Sequence, residues 1–226
     1  GVSEGGEETM SSLNTACVEK FGVFGTGCQH GIGDGILEYV GYQDIASALA
    51  LCEKTTQTVP LLGCVSGVFM EFNTPLVSTG EGLTPSSRSY DSERPYMPCD
   101  DVDIRYKKSC YFELGGWMHA VFPDDYKSAA DFCRRAPSPY AVECSRGFGA
   151  ILPPSVGYDI QRSLSACDAF SDQNHTACRG GVAWALYADP AHRSETLAVC
   201  EMESESDSAE CLQFADLTEG QSNFPN

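Results

Sequence analysis

Apolar residues recur along this chain in two alternating patterns, each anchored on a cysteine. Five segments run forward from a cysteine: CQHGIGDGIL, CVSGVFMEF, CYFELGGWM, CSRGFGAIL and CRGGVAWAL. In them the fourth residue on is Ile32, Val68, Leu114, Phe148 or Val182, and the eighth is Ile36, Phe72, Met118, Leu152 or Leu186. An i, i+4 apolar stripe repeated in this way predicts a helix with one buried face, here termed an A helix. The third residue on is Gly31, Gly67, Glu113, Gly147 or Gly181. Glycine costs about 1 kcal/mol in a helix interior, so its recurrence predicts close backbone approach between neighbouring helices. Short strands in GFGAIL and GVFMEF are the alternative that their glycine and aromatic content leaves open.

Four further segments lead up to a cysteine: DIASALALC, DYKSAADFC, DIQRSLSAC and HRSETLAVC. Three begin with an aspartate (Asp44, Asp125, Asp159), a good N-cap because its carboxylate accepts free backbone N–H groups. Leu49, Ala130, Leu164 and Leu197 stand three before the cysteine and share its helix face. These are the predicted B helices.

The cysteines carry the register. Cys17, Cys28, Cys52, Cys64, Cys99, Cys110, Cys133, Cys144, Cys167, Cys178, Cys200 and Cys211 are separated by short steps of 11 or 12 residues that alternate with steps of 22 to 35. One short and one long step sum to about 34 residues, the length of a helix–turn–helix repeat. The simplest pairing closes each short step: 17–28, 52–64, 99–110, 133–144, 167–178 and 200–211. Pairing across the long steps, such as 28–52 or 110–133, would leave Cys17 and Cys211 stranded. Each short ring contributes about 2–3 kcal/mol by restricting the unfolded chain. The predicted fold is all-α, an α-solenoid of about five stapled helical hairpins in a single domain over residues 1–226.

Three segments interrupt the pattern. Residues 1–10, GVSEGGEETM, are polar. Residues 73–98 form a Ser/Thr/Pro-rich insertion expected as a surface loop, and Pro95 and Pro98 forbid a regular B helix before Cys99. Residues 212–226 follow the last cysteine. The chain opens on a B-type cysteine and finishes on an A-type one, so the last A element is expected to abut the first B element of another copy. Head-to-tail contacts of that kind give rings or filaments. Capping by the polar end segments is the alternative.

Composition narrows the partners. Lys+Arg 14 against Asp+Glu 32 gives a net charge of −18, which disfavours nucleic acid and anionic membranes and leaves cations and basic proteins as natural partners. No stretch approaches the roughly 18 apolar residues of a membrane span. The first residue is Gly1 rather than Met and no apolar signal segment follows, which reads as a processed form. No two cysteines lie closer than 11 positions, which excludes zinc sites built on C-x2–4-C. With an even cysteine count and the sequon Asn174-His175-Thr176, an N-glycosylation acceptor, this points to a secreted or cell-surface protein in an oxidising compartment.

Candidate chemistry is sparse. His30 and Asp34 stand i, i+4 and would offer two ligands to a metal; His119, His175 and His192 fall in other repeats. The simpler reading makes His30 a polar residue packed against the neighbouring hairpin. Glu71 would complete an acid–base or metal set with His30 and Asp34, or pair with Glu113. GIGDG lacks the Lys-Ser/Thr of a phosphate loop and the βαβ context of a dinucleotide fingerprint, no G-x-S-x-G elbow occurs, and the disulfides consume every thiol. The run EMESESDSAE (201–210) would hold Ca²⁺ weakly or be a solvated loop. Trp117, Tyr126, Trp184 and Tyr187 are candidates for an aromatic groove. No cofactor is expected.

In architecture, stapled hairpins with Gly-x-Gly and a short Cys–Cys step resemble cysteine-rich Sel-like repeat proteins. CQHGIGDG with CVSGVFMEF (28–72) is similar to uncharacterised secreted proteins with a C-x-H-G-x-G-H motif followed by C-x-G-V-F-M-E; Asp34 stands where that motif has its second histidine. The Sel-like resemblance implies protein interaction. The leading expectation is therefore a non-enzymatic extracellular structural or interaction protein that self-assembles head-to-tail. A monomeric binding module for a peptide, glycan or cell-wall ligand is second. A metal-dependent or acid–base enzyme is third.

Overall fold

The structure is a computed structural model that describes residues 1–21, 26–56, 61–79, 82–85, 87–201 and 204–215. Its chain packs as two compact units, Gly1–Cys110 and Tyr111–Asn226, so the expected run of repeats is divided inside one helix. Unit 1 holds α1 (Val2–Phe21), α2 (Thr26–Val40), α3 (Ile45–Cys52), α4 (Cys64–Asn73), the strands β1 (Leu76–Thr79) and β2 (Gly82–Pro85), and the start of α5 (Ile104–Val121). Unit 2 holds the rest of α5, then α6 (Tyr126–Arg134), α7 (Tyr140–Ser155), α8 (Ile160–Cys167), α9 (Asp172–Ala188), α10 (Thr196–Val199) and α11 (Glu205–Ala215).

All six disulfides close the short steps, with Cα–Cα separations of 5.4 to 5.7 Å, and no cysteine is free. Six closed disulfides are the pattern of an oxidising, extracellular environment. No helix among the described residues is long and apolar enough to cross a membrane.

The A stripe is the core. Ile32, Val68, Leu114, Phe148 and Val182 are buried, as are Ile36, Met118, Leu152 and Leu186; Phe72 alone is half-buried. GFGAIL and GVFMEF lie inside α7 and α4, so the strand alternative fails, because their apolar residues follow the helical stripe. The A helices also begin earlier than the cysteine in most repeats: α5 and α9 carry Cys110 and Cys178 in their second turn, and only α4 opens on its cysteine.

Each predicted aspartate caps its B helix: Asp44, Asp125 and Asp159 accept from the backbone N–H of Ser47, Ser128 and Arg162, each at 3.1 Å. The fourth B segment departs from the pattern. It begins on His192 instead of aspartate and forms a 3-10 turn (Arg193–Glu195) before the four-residue α10, leaving Leu197 70 % exposed. Residues 1–10 are helical rather than a separate tail, with Val2 and Met10 buried and a kink at Gly6 (φ +61°). In the insertion β1 pairs antiparallel with β2, from Leu76 with Pro85 to Thr79 with Gly82. Its ends are tied where the Arg88 backbone N–H and side-chain Nε donate to the Asn73 carbonyl and Oδ1, at 2.9 and 2.7 Å. Before Cys99, residues 93–102 turn instead of forming a regular helix, as Pro95 and Pro98 require.

Glycine sets how closely the A helices cross. The third residue after the cysteine backs onto the preceding A helix: a Cβ on Gly67, Gly147 or Gly181 would overlap the backbone carbonyl of His30, Phe112 or Arg146. The fifth residue backs onto the following one: Gly33 meets Cys64, Gly115 meets Gly147 and Phe148, and Gly149 meets Cys178. Every close crossing thus uses two glycines, one from each helix. From Cys64 to Cys110 the corresponding residues are Phe69 and Glu113, and the two units divide within this step. Gly31 does not follow the packing expected of it, since among the described residues no neighbouring atom lies within 4 Å of the Cβ it would carry. As the third residue of the first A helix, it has no A helix before it among the described residues.

Candidate functional site

The sequence candidates His30, Asp34 and Glu71 lie on the joint between α2 and α4. The Gly33–Gly67 crossing brings these backbones together and carries the His30 ring against α4. Its Nε2 is 3.1 Å from Met70 Sδ and 3.8 Å from Asp34 Oδ1. Burial holds the imidazole below its ordinary pKa, opposed by a backbone hydrogen bond to Leu62. His30 therefore favours the neutral form near pH 7, in the packing role that its sequence context suggests.

Glu71 is 1 % exposed and accepts a short hydrogen bond from the Tyr42 hydroxyl. Burial first, and then this carboxylate, raise the Tyr42 phenol pKa. A buried carboxylate is costly without such a donor, so Tyr42 is the residue that sequence reasoning missed; 29 positions away, it carries no signal of the pairing. Glu113 belongs to unit 2 and is half-buried there. Among the described residues no three of His, Cys, Asp and Glu are grouped as a metal site requires. The joint ties two helices with polar contacts, and Asp34 and Glu71 also line a groove along α2.

The remaining histidines lie in unit 2, each with a neighbour of its own. His119 stacks on Phe148 at 5.0 Å, and burial holds its pKa down against the opposing charge of Asp124. His175 is 3.5 Å from Asp168, and His192 stacks on Tyr158 at 4.1 Å.

Of the four aromatic-groove candidates one is buried, and Tyr126, Trp184 and Tyr187 are half-exposed. Trp117 is 1 % exposed and packs edge-on against Phe132, because its place in α5 faces the core. Trp184 meets Phe112, Tyr126 meets Phe148, and Tyr187 lies beneath Arg193. The acidic run is a helix from Glu205 onward instead of a loop, and Glu210 binds Arg146 at 2.7 Å; residues 202–203 lie outside the described residues. Asn174 sits half-buried in the first turn of α9, with Thr176 buried behind it.

One groove of unit 1 opens along α2. Gly31 lies on the floor of a groove of about 330 Å³ that Val2, Leu13, Ile32 and Glu38 also line. Of the six large apolar side chains most exposed among the described residues, Leu13, Phe21 and Tyr39 all belong to α1 and α2. Exposed apolar side chains that cluster on one part of a molecule mark interaction surfaces more often than scattered ones do. No family model matches the chain, and no curated protein or solved structure matches it either.

Proposed function

We infer that this is a non-enzymatic extracellular interaction protein that assembles with further copies of itself through the outer face of α2. One observation carries the reading: Gly31 occupies the position that in Gly67, Gly147 and Gly181 takes the carbonyl of a neighbouring A helix, yet among the described residues nothing fills it. The occupant this geometry suits is another A-type helix, and a second copy of the chain supplies one. Leu13, exposed on α1 and lining the same groove, provides apolar surface beside it. The resemblance to Sel-like interaction repeats points the same way. At a net charge of −18 the copies repel one another, so association is expected to strengthen as salt screens that charge.

Analytical ultracentrifugation over a wide concentration range tests the reading. The wild type is expected to associate, and Gly31→Leu to remain monomeric without loss of thermal stability, because the added side chain meets open space in the monomer. A wild type that stays monomeric at several hundred micromolar in high salt, or a Gly31→Leu variant that associates normally, overturns it.

A further inference from the structure

A second groove of unit 1 lies apart from the α2 face. It is a groove of about 600 Å³ between α3, the turn Met97–Asp103 and the first turn of α5, within the size range of natural ligand sites. Its surface is mainly apolar. Leu49, Pro98 and Tyr106 are buried in the floor, and Ile45, Phe72 and Val102 are half-exposed along the walls. Ile104, 75 % exposed, extends the apolar surface beyond Asp103.

The rim has the opposite character. Asp44, Glu53, Asp101 and Asp103 line it, all exposed, against the single cation Arg105. That guanidinium is already engaged, 2.5 Å from Glu53 and 3.6 Å from Asp103. Arg94 reaches in to pair with Asp101, so even with both arginines counted the rim keeps a net negative charge. Asp44 stays ionised, held below the usual carboxylate range by its hydrogen bonds from Ser47. Tyr106 donates to Glu53, and burial together with that carboxylate pushes its phenol up to about 12, so it remains a neutral donor.

An apolar trough between anionic edges is complementary to an apolar side chain flanked by cations. We propose that this groove binds a basic peptide segment, with an aliphatic or aromatic side chain seated on Ile45, Leu49 and Phe72, and Lys or Arg on either side facing Asp44, Asp101 and Asp103. Specificity comes from requiring both features at once: a purely cationic chain leaves the trough hydrated, and an acidic one is repelled. The site is independent of assembly at Gly31, and either can fail without the other.

The test is fluorescence anisotropy of the intact protein with three labelled hexapeptides, Lys-Lys-Leu-Phe-Lys-Lys, Lys-Lys-Ala-Ala-Lys-Lys and Glu-Glu-Leu-Phe-Glu-Glu. The first is expected to bind about tenfold more tightly than the second, and the third not at all. Ala46 and Ala50 line the groove from exposed positions on α3, so Ala46→Arg and Ala50→Arg fill it without removing a contact. Each should weaken the first peptide about tenfold or more, whereas Ser165→Arg, the same change of charge on exposed α8, should leave its affinity within about twofold. Circular dichroism of each variant confirms that it folds. Equal affinity for the Leu-Phe and Ala-Ala peptides, or equal weakening by Ser165→Arg and Ala50→Arg, overturns the proposal, because both outcomes mean attraction to overall charge.

Discussion

Gly147 and Gly31 occupy the same place in their helices and have opposite surroundings. Each is the third residue after an A-helix cysteine. Around Gly147 the carbonyl of Phe112 fills the space a side chain would need, while around Gly31 no neighbouring atom of the described residues lies within 4 Å of that space. The identity of the residue therefore does not report its role. A glycine in a helix is unfavourable by about 0.5–1 kcal/mol relative to alanine. At Gly147 the closeness of two helices offsets that cost; at Gly31 nothing in the described chain does.

The largest effect that would break this comparison is expected from Gly147→Ala. The methyl group meets backbone rather than a flexible side chain, so the usual 1–3 kcal/mol of overpacking is near its upper end or beyond, and a net loss of about 3 kcal/mol is expected in urea unfolding. Wild-type stability in that variant would mean that the crossing has slack. The counterpart is Gly31→Ala, which should raise stability by about 0.5–1 kcal/mol by the same measurement, through helix propensity alone. A loss there would mean that the α2 face is already covered in the monomer.

A smaller effect sharpens the role of the joint beside Gly31. The folded-state pKa of His30 lies below its unfolded value of about 6.5, so the unfolded chain binds more protons between the two. The stability contribution is thus complete above about pH 6.5 and is lost as the pH falls toward the folded pKa. Asp34, 3.8 Å away, moderates the loss by favouring the charged ring. The thermal midpoint should fall between about pH 7.5 and pH 5, and less steeply in His30→Gln. Part of the slope should survive that change, because burial shifts His119 in the same direction. An unchanged slope in His30→Gln would remove His30 from this account.

Much of the fold was legible because its signal is periodic. Disulfide pairing followed from the alternation of cysteine steps, and the buried stripe from apolar residues at the fourth and eighth places. Helix starts were harder to place, because the first turns of α5 and α9 expose residues such as Arg105 and Gln173 that share no pattern with one another. The second glycine column, Gly33, Gly115 and Gly149, was present in the sequence. Phe69 and Ala183 interrupt it, and only the crossing geometry reveals that it completes the first. Within the joint, His30 and Asp34 were readable from their i, i+4 spacing; Tyr42 was not, since its bond to Glu71 depends on how two helices meet. The groove at Ile45 left no sequence trace, as its walls come from α3, from Phe72 in α4 and from residues 97–106, which are far apart in the chain.

Finally, no staple spans more than 12 residues of sequence. Each ring can close as soon as its own turn meets an oxidising environment, with no distant partner to wait for. Contacts that are local in sequence also form quickly. Oxidation can therefore proceed one repeat at a time, each staple forming within its own short stretch of chain.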